Sequence, residues 1–169
     1  DPVTTLHNPS GAALTRGGKI VASQTRLPFD RSINVLGFGR QIDPRAGFTI
    51  TWVNAGVDNV MGRDADGEEQ ESIENSENAL SFAFGTRYNK FVGGVAAKWY
   101  RIALDDQSPN ESSNKSSNNW SLSIGVTILP MEGLRIGASI RDVGDDLSWN
   151  DDDSQLAPRK DTFPRTFEL

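Results

Sequence analysis

In the stretch Asn119-Trp120-Ser121-Leu122-Ser123-Ile124-Gly125-Val126-Thr127-Ile128, every even position is apolar and every odd one is small, hydroxylated or an amide. Successive side chains of a β-strand point to opposite faces, so a period of two means an extended chain with one apolar and one polar face. The next segment repeats the pattern, with Leu134, Ile136, Ala138 and Ile140 against Arg135, Gly137, Ser139 and Arg141. Upstream, Leu80, Phe82 and Phe84 oppose Ser81, Ala83, Gly85 and Arg87, and Phe48, Ile50 and Trp52 oppose Gly47, Thr49 and Thr51. Lys98 in mid-strand assigns Gly94 and Ala96 to its own polar face and Val95, Ala97 and Trp99 to the other. Asn54 shares parity with Trp52 and Ile50, which marks an edge of the apolar band or a bulge. Strands are predicted near 19–26, 31–41, 46–57, 76–88, 91–104, 118–129, 134–143 and 163–169. Several reach the roughly 9–11 residues of a tilted membrane strand.

Connection lengths add a second pattern. Short links at 42–45, 89–90 and 130–133 alternate with long polar stretches at 58–75, 105–117 and 144–162, and only the link at 27–30 breaks the alternation. Short turns at one end and long loops at the other are characteristic of outer-membrane barrels. Tyr88 and Phe91 then flank a short turn while Trp99, Tyr100 and Trp120 lie toward the long loops, as two interfacial aromatic belts would. The expected fold is therefore all-β, an antiparallel transmembrane β-barrel with about eight strands visible.

Composition removes most other classes. The 169 residues contain no cysteine and one histidine (His7), with a formal net charge of −6. Disulfides, thiolate metal sites and multi-histidine centres are excluded, and the acidic balance argues against nucleic acid as a partner. No apolar run is long enough for a transmembrane helix. A mean hydropathy of −0.47 does not argue against a barrel, whose strands spend only alternate residues on lipid. No nucleophile elbow, phosphate-binding glycine loop or His-Glu-x-x-His motif is present, so no catalytic residue, no enzyme activity and no cofactor are expected.

Several ordered segments resemble a known family. His7-Asn8-Pro9-Ser10-Gly11-Ala12-Ala13-Leu14, Gly62-Arg63-Asp64-Ala65-Asp66-Gly67, the run from Pro130 to Gly144, and Phe163-Pro164-Arg165-Thr166-Phe167-Glu168-Leu169 are together similar to FadL-like barrels, and most to their PorV/PorQ-type relatives. Ser10 departs from the family's alanine. The resemblance implies a barrel of about 14 strands, of which this chain is the N-terminal part, in the bacterial outer membrane. Residues 1–18 would be a hatch or plug built on Asn8, Pro9, Ser10 and Gly11, and residues 19–169 the barrel. It further implies transport of hydrophobic or amphipathic molecules, or a shuttle role in type IX protein secretion. The expected partners are outer-membrane lipid, a hydrophobic ligand in the lumen and proteins at the external loops or periplasmic face. The alternative function is a structural, partner-binding barrel in a cell-envelope assembly.

The candidate sites compete with plainer readings. Asn8-Pro9 also suits an ordinary turn before a strand. Arg87, Lys98, Arg135 and Arg141 share the polar parity and would coat the lumen, or simply keep it wet. Asp64, Asp66 and Glu68 alternate as calcium ligands do, but Gly67 falls at the fourth position of that loop and Asn75 stands at the twelfth. A solvated external loop is favoured there and no metal is expected. The same holds for Asp151, Asp152 and Asp153, since a charge run is usually a solvated face.

Overall fold

The computed structural model describes residues 1–63, 69–106, 113–144, 146–148, 160–162 and 166–168. The long strands are β1 (Gly18–Leu27), β2 (Arg31–Asp43), β3 (Ala46–Arg63), β4 (Glu69–Tyr88), β5 (Phe91–Asp106), β6 (Ser113–Met131) and β7 (Leu134–Val143). Three-residue strands follow: β8 (Asp146–Ser148), β9 (Lys160–Thr162) and β10 (Thr166–Glu168). β1 to β7 form one antiparallel meander that β10 extends along β7, while β8 and β9 pair separately.

That meander is open. β1 pairs with β2, and among the described residues its other edge pairs with nothing; β10 covers β7 only from Ser139 to Arg141. The expected transmembrane barrel is therefore corrected to an open antiparallel sheet, and the outer-membrane location and lipid partner expected with it have no structural support. A sheet in hydrocarbon must satisfy every backbone N–H and C=O internally, which requires closure. Period-two alternation reports that each strand has two unlike faces, and does not say what covers the apolar one.

The loop-length argument fails for a separate reason. β3 and β4 stay paired out to Arg63↔Glu69, and β5 and β6 out to Asp106↔Ser113. Most of the stretches 58–75 and 105–117 is thus strand. The sequence of those arms is mostly polar, with Val60, Met61 and Ile73 as exceptions, so no sustained hydrophobic alternation marks them, whereas an antiparallel ladder propagates through backbone bonds whatever the side chains are.

The turns carry their own strain. Phe29 and Asp30 between β1 and β2 have φ of 64° and 52°, and Asn89 between β4 and β5 has φ of 53°. Hairpin turns favour this left-handed region because it matches the twist of the strands. Asn and Asp reach it readily; Phe does so at a cost.

Register sorts the side chains into two continuous faces. One carries the rows Leu36, Trp52, Leu80, Trp99, Trp120 and Phe38, Ile50, Phe82, Ala97, Leu122, each residue directly opposite the next. Phe38 and Phe48 meet edge to face there, with centroids 5.9 Å apart. Asn54 lies in regular pairing at the edge of the apolar band, not in a bulge. It is the middle rung of an amide ladder, donating to Asn78 Oδ1 at 3.2 Å and accepting from Asn34 Nδ2 at 3.2 Å. This ladder marks where the apolar face stops. The opposite face carries small residues, in the rows Gly39, Thr49, Ala83, Ala96, Ser123 and Gly47, Gly85, Gly94, Gly125, Ser139.

Candidate functional site: the small-residue face and its N-terminal segment

Two 3-10 turns, Pro2–Leu6 and Pro9–Leu14, lie across the small-residue face. Each begins at a side-chain cap followed by proline, whose fixed φ suits the first position of a helical turn. Asp1 accepts from the Val3 N–H, and Asn8 Oδ1 accepts from the Ser10 N–H at 3.0 Å. The glycine row lets backbone lie on backbone. A Cβ at Gly94 would fall on the Pro9 carbonyl, and one at Gly125 would meet the Asn8 side chain.

Hydrogen bonds then fix the segment in place. Thr51 Oγ1 donates to the Pro2 carbonyl at 3.1 Å, and Ser139 Oγ donates to the His7 carbonyl at 2.9 Å. Asn8 Nδ2 donates to the carbonyls of Val126 (3.2 Å) and Ala138 (3.4 Å). The Ser10 hydroxyl gives its proton to Asn8 Oδ1 at 2.7 Å and lies 2.7 Å from Thr127 Oγ1, while Thr5 and Thr49 hydroxyls meet at 2.8 Å. Ser10 is completely buried. The hydroxyl that departs from the resembled motif therefore has a specific partner, which lies more than a hundred residues away and leaves no local trace in the sequence. Of the expected hatch residues, Asn8, Pro9 and Ser10 are pressed onto the sheet, and Gly11 lies against Thr4 and Thr5. The described residues form an open sheet and enclose no lumen for them to plug.

The four expected cations are dispersed. Arg87 is exposed and its Nε donates to the Asn89 carbonyl at 2.9 Å; Arg135 is exposed; Arg141 is half-buried on β7. Lys98 alone is buried, and it forms the polar centre of this face. Its Nζ lies 3.1 Å from Asp142 Oδ1, which also accepts from Tyr100 (2.9 Å) and Ser121 (3.1 Å). Asp142 reaches this position through an irregularity in β6–β7 pairing between Leu122 and Ile124, with its own φ at 58°. Such bulges re-aim a side chain. Tyr100, expected in an aromatic belt beside Trp99, lies on the other face as a donor to Asp142. Ser81, directly across from Lys98, is buried with no hydrogen-bond partner for its hydroxyl.

Burial alone would push the Asp142 carboxyl up. The adjacent Lys98 ammonium and the hydrogen bonds from Lys98, Tyr100 and Ser121 outweigh it and hold the group below its ordinary value of 3.8. A carboxylate whose pKa is depressed by folding stabilises the fold above that ordinary value, and the contribution disappears as pH falls through the folded one. Chemical denaturation of the wild type and of Asp142→Asn between pH 7 and pH 2 should therefore show their stabilities converging below about pH 3.8. Parallel profiles over that range would show that the ion pair contributes nothing.

Asp64, Asp66, Glu68, Asp151, Asp152 and Asp153 lie outside the described residues. Among the described residues no group of three or more potential metal ligands comes together. No family model, curated protein or solved structure matches this chain. The resemblance to FadL-like and PorV/PorQ-type barrels thus lacks support from sequence comparison as well as from the open sheet. The transport and secretion-shuttle functions it implied, the alternative of a structural envelope barrel, and a ligand in a lumen are left without support.

Proposed function

We propose that this chain is a non-catalytic binding module, an open β-sheet that covers one face with its own N-terminal segment and docks an uncharged, apolar protein surface on the other. The contrast between the two faces carries this reading. Thr49, Thr51, Ser121, Ser123, Ala83 and Ala96 on the small-residue face are each at most 4% exposed, whereas Trp120, Leu122, Ile124 and Val126 on the other are 52–61% exposed. Contiguous exposed apolar patches beyond a few hundred Å² mark interaction sites. The strands lie about 4.8 Å apart and alternate residues about 6.7 Å apart, so the roughly two dozen apolar positions of this face across β1 to β7 cover on the order of 800 Å². A non-catalytic role is supported by the Asp142 cluster, whose lysine, tyrosine and serine are engaged with one carboxylate oxygen rather than directed at an open cavity.

Leu122→Glu tests the reading. Leu122 is 61% exposed and gives up little packing, so its unfolding free energy should stay within about 0.5 kcal/mol of wild type, while binding of an apolar fluorescent dye, read for both proteins at a dilution where each is monomeric, falls sharply. Ser121→Glu, one residue away but buried, should unfold the protein. An L122E variant that unfolds, or that binds dye as wild type does, sinks the reading.

A further inference from the structure

We infer that the occupant of the apolar face is the same face of a second copy of this chain, giving a two-fold dimer in which two sheets stack. The inference rests on the reading of that face as a docking surface. Its first support is size, since a footprint on the order of 800 Å² per copy equals what each partner contributes to a standard stable interface.

Chemistry is the second support. The rows through Trp52 and Ile50 carry no charge, and Arg40 and Arg101 stand at the margin of the face. Nothing there selects a partner of opposite charge, and an uncharged face is compatible with itself, as a two-fold interface requires.

Shape is the third. Near the middle of the face is a hollow of about 450 Å³ whose lining includes Ala97, Val95, Phe82, Phe84, Leu122 and Ile124. Phe82 and Leu122 flank Ala97 in one register row. A two-fold axis along the strands near Ala97 sets Phe82 of each copy opposite Leu122 of the other across a shared hollow, at the roughly 10 Å spacing of stacked sheets. Association through the β1 edge is disfavoured by comparison, because Lys19 and Arg26 stand on that strand, and charges on an edge strand oppose edge-to-edge pairing.

The experiment is sedimentation velocity on the full chain, wild type and Leu122→Glu, joined to crosslinking of single-cysteine variants with a short bismaleimide. The chain has no cysteine of its own, so each introduced thiol reports one position. The expected result is a dimer for wild type and a monomer for L122E. Ala97→Cys should crosslink to itself in high yield, and Ser23→Cys on the β1 edge should not. A monomeric wild type that still binds apolar dye overturns the second copy and leaves the docking face standing. A chain that stays in solution only with detergent or lipid vesicles also overturns it, and a dimer that crosslinks through Ser23→Cys does so equally. An L122E variant that unfolds would instead remove the docking face itself.

Discussion

Replacing Asp142 by alanine is expected to destabilise the protein by about 3–4 kcal/mol, measured by urea unfolding followed by circular dichroism. Removing one partner of a buried pair leaves the other as an uncompensated charge, a loss of about 3–5 kcal/mol. The Lys98 side chain is 7% exposed and that of Asp142 22%. Some water reaches the acid, which places the effect toward the lower end. Tyr100 and Ser121 lose their acceptor at the same time, and alanine at a φ of 58° adds about 1 kcal/mol of backbone strain. A series separates these contributions. Asp142→Asn keeps an acceptor and a residue at ease in the left-handed region, so it should cost only about 1–2 kcal/mol. Asp142→Gly removes the strain but not the orphaned lysine and should fall between. Lys98→Met in the D142A background should recover much of the loss, because the cost lies in the unpaired ammonium. A D142A variant within 1 kcal/mol of wild type, or no recovery in the double variant, would show that the cluster does not hold β7 to β5.

Much of the local structure was legible in the sequence and the global shape was not. The alternation in 119–128 depends only on which face each residue takes, and the structure places Trp120, Leu122, Ile124 and Val126 on one face and Ser121, Ser123 and Thr127 on the other. Closure depends on whether the first and last strands meet, which no local pattern encodes. Hairpin arms such as Glu69 to Asn75 escaped notice because their sequence, with Ile73 alone apolar, carries no hydrophobic alternation. Asp142 looked like the polar end of a strand. Its role as acceptor for Lys98 requires a bulge that shifts its side chain across the sheet, and Asp in an otherwise regular alternation was the only signal. The glycine trench had a fairer one. Gly47, Gly85, Gly94 and Gly125 share polar parity on four strands, and glycine weakens a strand unless a backbone must approach closely.

That trench supports a matched pair of substitutions at adjacent residues. Gly94→Ala should cost about 2–3 kcal/mol, at the upper end of the usual range for overpacking. The obstacle there is the Pro9 carbonyl and Ser10 amide rather than a side chain with another rotamer. Gly93 is one residue away on the opposite face, and a Cβ there meets nothing within 4 Å, so Gly93→Ala should be neutral or stabilising by a few tenths of a kcal/mol. The mode of failure is also specified. The N-terminal segment can escape the clash by leaving, which breaks the Ser10–Thr127 and Asn8–Val126 bonds together and uncovers Ala83 and Ala96. Limited proteolysis at neutral pH should then cut the G94A variant within residues 1–17 under conditions that leave wild type and G93A intact. Hydrogen exchange should quicken at Ser10 and Gly11 without a matching change at Phe82 or Leu122. Equal protection of the N-terminal segment in both variants would mean that it does not lie in the glycine trench, and the division of the sheet into a self-covered face and a free face would be wrong.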